Sequence, residues 1–155
     1  MRITVVFLLV FLFGAVLAAS REDLVRDFDN SRSSWVKHGP PNYQFTITKS
    51  CVCTPSARLG PIQITVKQGK TVRSVYVGPT AKGYRYGQNV LPEKDLMSVS
   101  ELFKDIEWAI ATHPSKSASF SVHYDTSDGH PARYRYDDLG GDDSFTIVLS
   151  DFRRL

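Results

Sequence analysis

Residues 43–53 read Tyr-Gln-Phe-Thr-Ile-Thr-Lys-Ser-Cys-Val-Cys. Tyr43, Phe45 and Ile47 alternate with Gln44, Thr46 and Thr48. That period of two sends successive side chains to opposite faces of a strand. Aromatic and β-branched types dominate, as a pleated and half-buried surface favours. One apolar face and one hydroxyl-rich face suit an antiparallel sheet covered on one side. The segments around this strand should therefore extend the sheet or cover it.

Downstream, Pro55 and Gly60-Pro61 interrupt the chain, after which Ile62, Ile64 and Val66 alternate again. Residues 72–77 pair back on them, with a hairpin closing at Gln68-Gly69. The stretch 78–92 contains Pro79, Gly83, Gly87 and Pro92 and reads as a long loop. Ser98-Val99-Ser100-Glu101 is a capping box, and Val99, Leu102, Phe103, Ile106, Ala109 and Ile110 form the apolar stripe of the helix behind it. His113-Pro114 ends that helix. Phe120, Val122 and Tyr124 then alternate, Asp128-Gly129 turns the chain, and residues 132–136 return. A second turn, rich in aspartate and glycine, spans residues 137–143, and Phe145, Ile147 and Leu149 form the last strand.

Upstream, Leu24, Phe28 and Trp35 share one helical face, with Ser20 as N-cap and Gly39-Pro40-Pro41 as the stop. Met1-Arg2, the apolar run 3–17 and the small residues before Ser20 form an export signal, with cleavage expected after Ala18. The run is about 15 residues, short of the roughly 20 needed to span a bilayer. Residues 1–18 are then the signal and 19–155 a single domain, secreted and without stable membrane insertion. The order is helix, three strands, helix, three strands. It predicts an α+β fold in which an antiparallel sheet carries its helices on one face. The repetition suggests two similar αβββ units.

The 155 residues are 42% apolar and 12% aromatic, which excludes a disordered chain. A formal charge of +3 is too small for a dedicated nucleic-acid binder. Two cysteines exclude a disulfide-dense scaffold and a four-thiolate zinc site.

Several of these segments, taken in order, resemble a known family. The blocks are Tyr43-x-Phe45-Thr46 leading into Cys51-Val52-Cys53-Thr54-Pro55, and Pro61-Ile62-x-Ile64-Thr65-Val66-x-x-Gly69-x-x-Val72. Ser98-Val99-x-Glu101-Leu102-Phe103-x-x-Ile106 follows, then Val122-x-Tyr124-Asp125-x-x-x-Gly129-x-Pro131. Asp142-Asp143 and Ser150-Asp151-Phe152 close the series. Together they resemble the domain of unknown function 6174 family, small exported or lipid-anchored proteins, from about Trp35 to Arg153. Val52 stands where that family usually has an aromatic, and His130 where it usually has a tyrosine. The resemblance implies fold and export, and it supplies no mechanism.

Cys51 and Cys53 are the sharpest chemical feature. Two apart on a strand, they share its inward face, with α-carbons about 6.5 Å apart, near the upper limit for a disulfide. They are a candidate disulfide or a candidate redox pair, and a structural role weighs more because no Cys-x-x-Cys helix start is present to lower a thiol pKa. A metal site built from these thiols with His123 or His130 weighs less, since the four histidines show no ligand spacing and read as solvated or turn residues. Asp137-Asp138 and Asp142-Asp143 lack the alternating ligands of a calcium loop. No metal and no cofactor are expected.

Residues 49–88 carry Lys49, Arg58, Lys67, Lys70, Arg73, Lys82 and Arg85 and no acid, whereas residues 91–155 are net acidic. Lys67, Lys70, Arg73, Lys82 and Arg85 are the candidate anion-binding set, with Tyr76, Tyr84 and Tyr86 interleaved. The competing expectation is that the two halves simply attract one another within one fold. Signatures of hydrolases, metalloproteases and nucleotide-binding loops are missing, so no catalytic residue is named. The leading expectation is an exported, non-enzymatic domain that binds an unknown protein or extracellular ligand through its sheet face or loops. Thiol–disulfide exchange by Cys51 and Cys53 is the first alternative. Adhesion to an anionic extracellular polymer through residues 49–88 is the second.

Overall fold

The computed structural model describes residues 21–51, 59–79, 85–90, 98–112, 118–138 and 144–155. The segment expected to be an export signal, the expected N-cap Ser20, Cys53, Lys82 and Tyr84 lie outside the described residues. The elements in chain order are α1 (Arg21–His38), β1 (Asn42–Cys51), β2 (Leu59–Lys67), β3 (Lys70–Tyr76), α2 (Val99–Thr112), β4 (Ala118–Tyr124), β5 (Pro131–Asp138) and β6 (Phe145–Arg154). The strands form one six-stranded sheet in the order β3-β2-β1-β6-β5-β4. Every pairing is antiparallel. The α+β expectation is met.

The opening strand lies at the centre. β1 pairs with β2 through Tyr43↔Val66, Phe45↔Ile64 and Ile47↔Ile62, and with β6 through Ile47↔Leu149, Lys49↔Ile147 and Cys51↔Phe145. Residues directly opposite share a face, so these pairs line one buried surface. Phe28 and Trp35 of α1, and Leu102, Phe103, Ile106 and Ala109 of α2, belong to the same buried cluster. At the β2–β3 turn, Gln68 and Gly69 take φ of 50° and 75°, the left-handed pair that a two-residue hairpin demands. Asn42 Oδ1 accepts the Gln68 N–H at 3.0 Å and ties this turn to the start of β1.

Both helices are anchored locally. Gly39 N–H donates to Trp35 O at 2.7 Å, and a Cβ at Gly39 would sit 2.7 Å from Trp35 Cδ2. Only glycine lets the chain leave α1 so close to that ring. At α2 the capping box closes in both directions: Ser98 N–H donates to Glu101 Oε2 at 2.8 Å and Glu101 N–H donates to Ser98 Oγ at 3.3 Å. Val99 N–H, another helix-end donor with no partner within the helix, donates to Tyr43 Oη at 3.0 Å. The opening strand thus caps the second helix. Burial pushes the Tyr43 hydroxyl up to about 12; the Val99 N–H opposes this and the Glu101 carboxylate adds to it.

β6 departs from plain alternation. Continuing Phe145, Ile147 and Leu149 by twos would bring Asp151 inward and turn Phe152 out. Instead Asp151 adopts φ of 54° and the β1–β6 register shifts between Gln44 and Thr46. An extra residue at such a bulge exchanges the two faces beyond it. Phe152 consequently packs inward, with ring centroids 5.5 Å from Tyr43 and 6.0 Å from Trp35. No helix among the described residues is long and apolar enough to cross a membrane.

Candidate functional site

The β4–β5 turn gathers the densest group of ionisable side chains. Asp125 Oδ1 accepts the Ser127 N–H at 2.8 Å and also the Ser127 hydroxyl. Asp128 Oδ1 accepts the His130 N–H at 3.1 Å and lies 2.6 Å from His130 Nδ1. Asp125 N–H donates back to His130 O at 2.8 Å, closing the turn. The Ser127 hydroxyl and N–H hold the Asp125 carboxyl below the usual carboxylate range; partial desolvation opposes this and His130 adds to it. A Cβ at Gly129, where φ is +86°, would lie 2.3 Å from Ser31 O. The turn is therefore seated directly on α1.

His130 is not the solvated turn histidine anticipated from sequence. It is 6% exposed and Asp128 2%. The imidazole stacks on Phe152 with centroids 4.2 Å apart, and Trp35 stands edge-on to it at 6.3 Å. Phe152 reaches that position only through the bulge at Asp151. Asp125, Asp128 and His130 bring potential ligand atoms within 4.8 Å of one another. Two ligands around one tetrahedral zinc stand about 3.3 Å apart, whereas the Asp128–His130 contact at 2.6 Å is that of a hydrogen bond. The pair is closed upon itself and fastens the turn to the core. Its only signal in sequence was a pair of aspartates before Gly129-His130, and its aromatic surroundings come from residues far away in the chain.

A shallow groove of about 400 Å³ runs beside this turn, with Asp27, Asn30, Ser34, His123, Tyr124 and Asp125 among its lining residues. The Tyr124 hydroxyl is buried with no hydrogen-bond partner among the described residues. Burial, and then the Asp27 carboxylate, raises its pKa above the ordinary tyrosine value.

The residues singled out from sequence are dispersed. Cys51 ends β1, half-buried and opposite Phe145, while Cys53 lies outside the described residues. Lys67 and Lys70 face each other across the hairpin, and Arg73 pairs with Thr65. All three are exposed. Arg85 is exposed too, with its backbone N–H on Gln88 Oε1 at 3.0 Å. Tyr76 does not interleave with this basic set at the surface. It is buried in the core cluster and its hydroxyl donates to Pro79 O at 3.0 Å. Tyr86 is exposed.

The strand positions that alternate with the core residues form the other side of the sheet. Across it run Arg73↔Thr65 and Gln44↔Arg153, then Thr48↔Val148 and Val148↔Arg133, and His123↔Arg133 beyond. Ser121↔Arg135 and Arg135↔Thr146 form the next row. Arg73, Ser121, His123, Arg133, Arg135 and Arg153 are exposed. Gln44 Oε1 accepts both Nε and Nη2 of Arg153, at 3.1 and 2.7 Å, and holds that guanidinium over the central strand. Arg135 meets Asp137 at 2.7 Å. Lys67, Lys70, Arg73 and Arg133 have no acidic partner among the described residues. The arginines of the net-acidic second half thus stand on the same face of the sheet as the basic residues of β2 and β3.

No curated protein and no solved structure matches the chain. The model of a family of unknown function, DUF6174, matches residues 27–154, beginning inside α1 rather than at Trp35 and ending with β6. The match takes in all six strands, both helix-borne parts of the core and the β4–β5 turn. The chain therefore belongs to the DUF6174 family of unknown function.

Proposed function

We propose that this is an exported, non-enzymatic domain that binds its partner through the sheet face opposite α1 and α2. The observation that carries this reading is the contrast between the two sides of the sheet. On the helix side, aromatic and aliphatic side chains fill the space, and the Asp128–His130 pair is consumed in fastening a turn. A histidine so enclosed meets no substrate unless the core opens. On the other side, guanidinium, amide and hydroxyl groups lie in rows on a rigid antiparallel scaffold. Rigid strands hold a binding constellation better than loops do. Export rests on the apolar run 3–17 and the small residues that follow it.

Lysine-acetylation footprinting tests the reading with the secreted protein and the extracellular fraction of the cells that make it. Acetylation of Lys67 and Lys70 should fall at least severalfold in the presence of that fraction, while Lys37 of α1 and Lys104 of α2 keep their reactivity. Equal protection of all four, or none, would overturn the assignment of the face. The N-terminus of the same preparation is expected at Ala19.

A second reading concerns Cys51 and Cys53. No cysteine among the described residues is a free thiol, which favours a bond between these two at the end of the central strand. We take it as a staple rather than an exchanging pair, because Cys51 is half-buried beside Phe145. A thiol reagent should find nothing in the native or denatured oxidised protein, and two thiols after denaturation with reductant. Rapid reduction of the native protein by a mild dithiol would instead make the pair an exchanger.

A further inference from the structure

The rows of cations on the outer sheet face narrow the partner class, and the inference rests on the reading that this face is the binding surface. We propose that the face binds a linear polyanionic glycan, a chain carrying sulfate groups at regular intervals. Lys67, Lys70 and Arg73 come from the β2–β3 hairpin, Arg133 and Arg135 from β5, and Arg153 from β6. Against these six, two carboxylates stand among the described residues of the face. Asp137 is already paired with Arg135, and Asp151 accepts the Ser150 hydroxyl at 3.1 Å. β3 and β5 are separated by four strand spacings of about 4.8 Å, so the cations span roughly 19 Å. That spread suits an extended chain better than a single small anion.

The rest of the face excludes the other polyanionic and protein partners. Tyr43, Phe45, Tyr76, Tyr134 and Phe152 all lie in or against the core cluster on the helix side. Single-stranded nucleic acid needs successive aromatic platforms on which bases stack, and the described residues of this face offer no Phe, Tyr or Trp, only the single ring of His123. Stable protein partners rely on buried aromatic anchors surrounded by an apolar patch. Here Val72 and Val148 are the exposed large apolar residues of the strands, at 55% and 36%, and two strands, β2 and β1, lie between the strands that carry them. What remains is an array of exposed guanidinium and ammonium groups, with Gln44 and Thr46 buried beneath them on the central strand. Such an array recognises regularly spaced anions by charge and by forked hydrogen bonds.

Heparin serves as the probe. The wild-type protein should stay on a heparin column at about 150 mM NaCl and elute above about 300 mM, since release of counterions makes such binding steeply dependent on salt. The double variant Arg73→Glu/Arg133→Glu should wash through below about 150 mM. Lys37→Glu/Lys104→Glu carries the same change in net charge on the helices and should elute as wild type. Thermal melting within a few degrees of wild type shows that each variant is folded. Loss of retention by the helix variant as well, or wild-type elution at about 150 mM, overturns the inference. Competition by duplex DNA as strong as by heparin at equal charge overturns the glycan assignment. A face protected in the lysine footprint but indifferent to heparin leaves the binding face standing and removes the glycan alone.

Discussion

Phe103→Ala should destabilise the protein by about 3–5 kcal/mol, with the slope of the urea transition unchanged. Phe103 is 3% exposed and stands where three elements meet. Its ring lies edge-on to Phe28 of α1 at 5.9 Å and stacks on Tyr124 of β4 at 6.1 Å. Truncation removes the burial of a whole ring, leaves a cavity, and forfeits aromatic contacts with both neighbours. The surroundings have little freedom to collapse into the gap, because α2 is pinned at its start by the capping box and by Tyr43. Exposed Trp108, on the same helix, is the control: Trp108→Ala should change stability far less. A loss below about 1 kcal/mol at Phe103 would mean that α2 does not pack on the sheet through this ring.

Asp128→Ala should cost a similar amount, about 3–5 kcal/mol, for an electrostatic reason. The carboxylate is 2% exposed and accepts both the His130 backbone N–H and the contact from Nδ1. Alanine leaves two buried donors unsatisfied against Phe152 and Trp35, and an unpaired polar group in an apolar setting is expensive. Asp128→Asn keeps an oxygen acceptor and should recover a large part of the loss. A double-mutant cycle with His130→Phe, which preserves the stacked ring, should show coupling of at least about 1 kcal/mol. Additive losses would mean that the two side chains act independently of each other.

The family resemblance was legible in short segments because each of them is governed by local rules. Alternation in residues 43–48 located the central strand, Gln68-Gly69 located a hairpin turn, and Ser98 with Glu101 located the start of α2. The β4–β5 turn was visible as a turn at Asp128-Gly129, yet its meaning was not. The environment of His130 is made by Trp35, more than ninety positions earlier, and by Phe152, which a bulge delivers to the wrong face for its parity. Periodicity carries no information about such a bulge. Tyr76 was misplaced among surface cations for a related reason, since the irregular pairing of β3 returns it to the core face.

The charge asymmetry followed the same division. Composition along the chain showed a basic middle and an acidic end, and by composition alone the two regions are opposites. The sheet order β3-β2-β1-β6-β5-β4 joins them edge to edge through β1 and β6, so Arg133, Arg135 and Arg153 face the same way as Lys67, Lys70 and Arg73. The sequence by itself determined the class of fold, the strands, the start of α2 and the family, because spacing and capping act over a few residues. Tertiary structure alone decided which charges share a face and which histidine is buried. Those outcomes depend on strand order and register, and these are settled by packing among residues far apart in the chain.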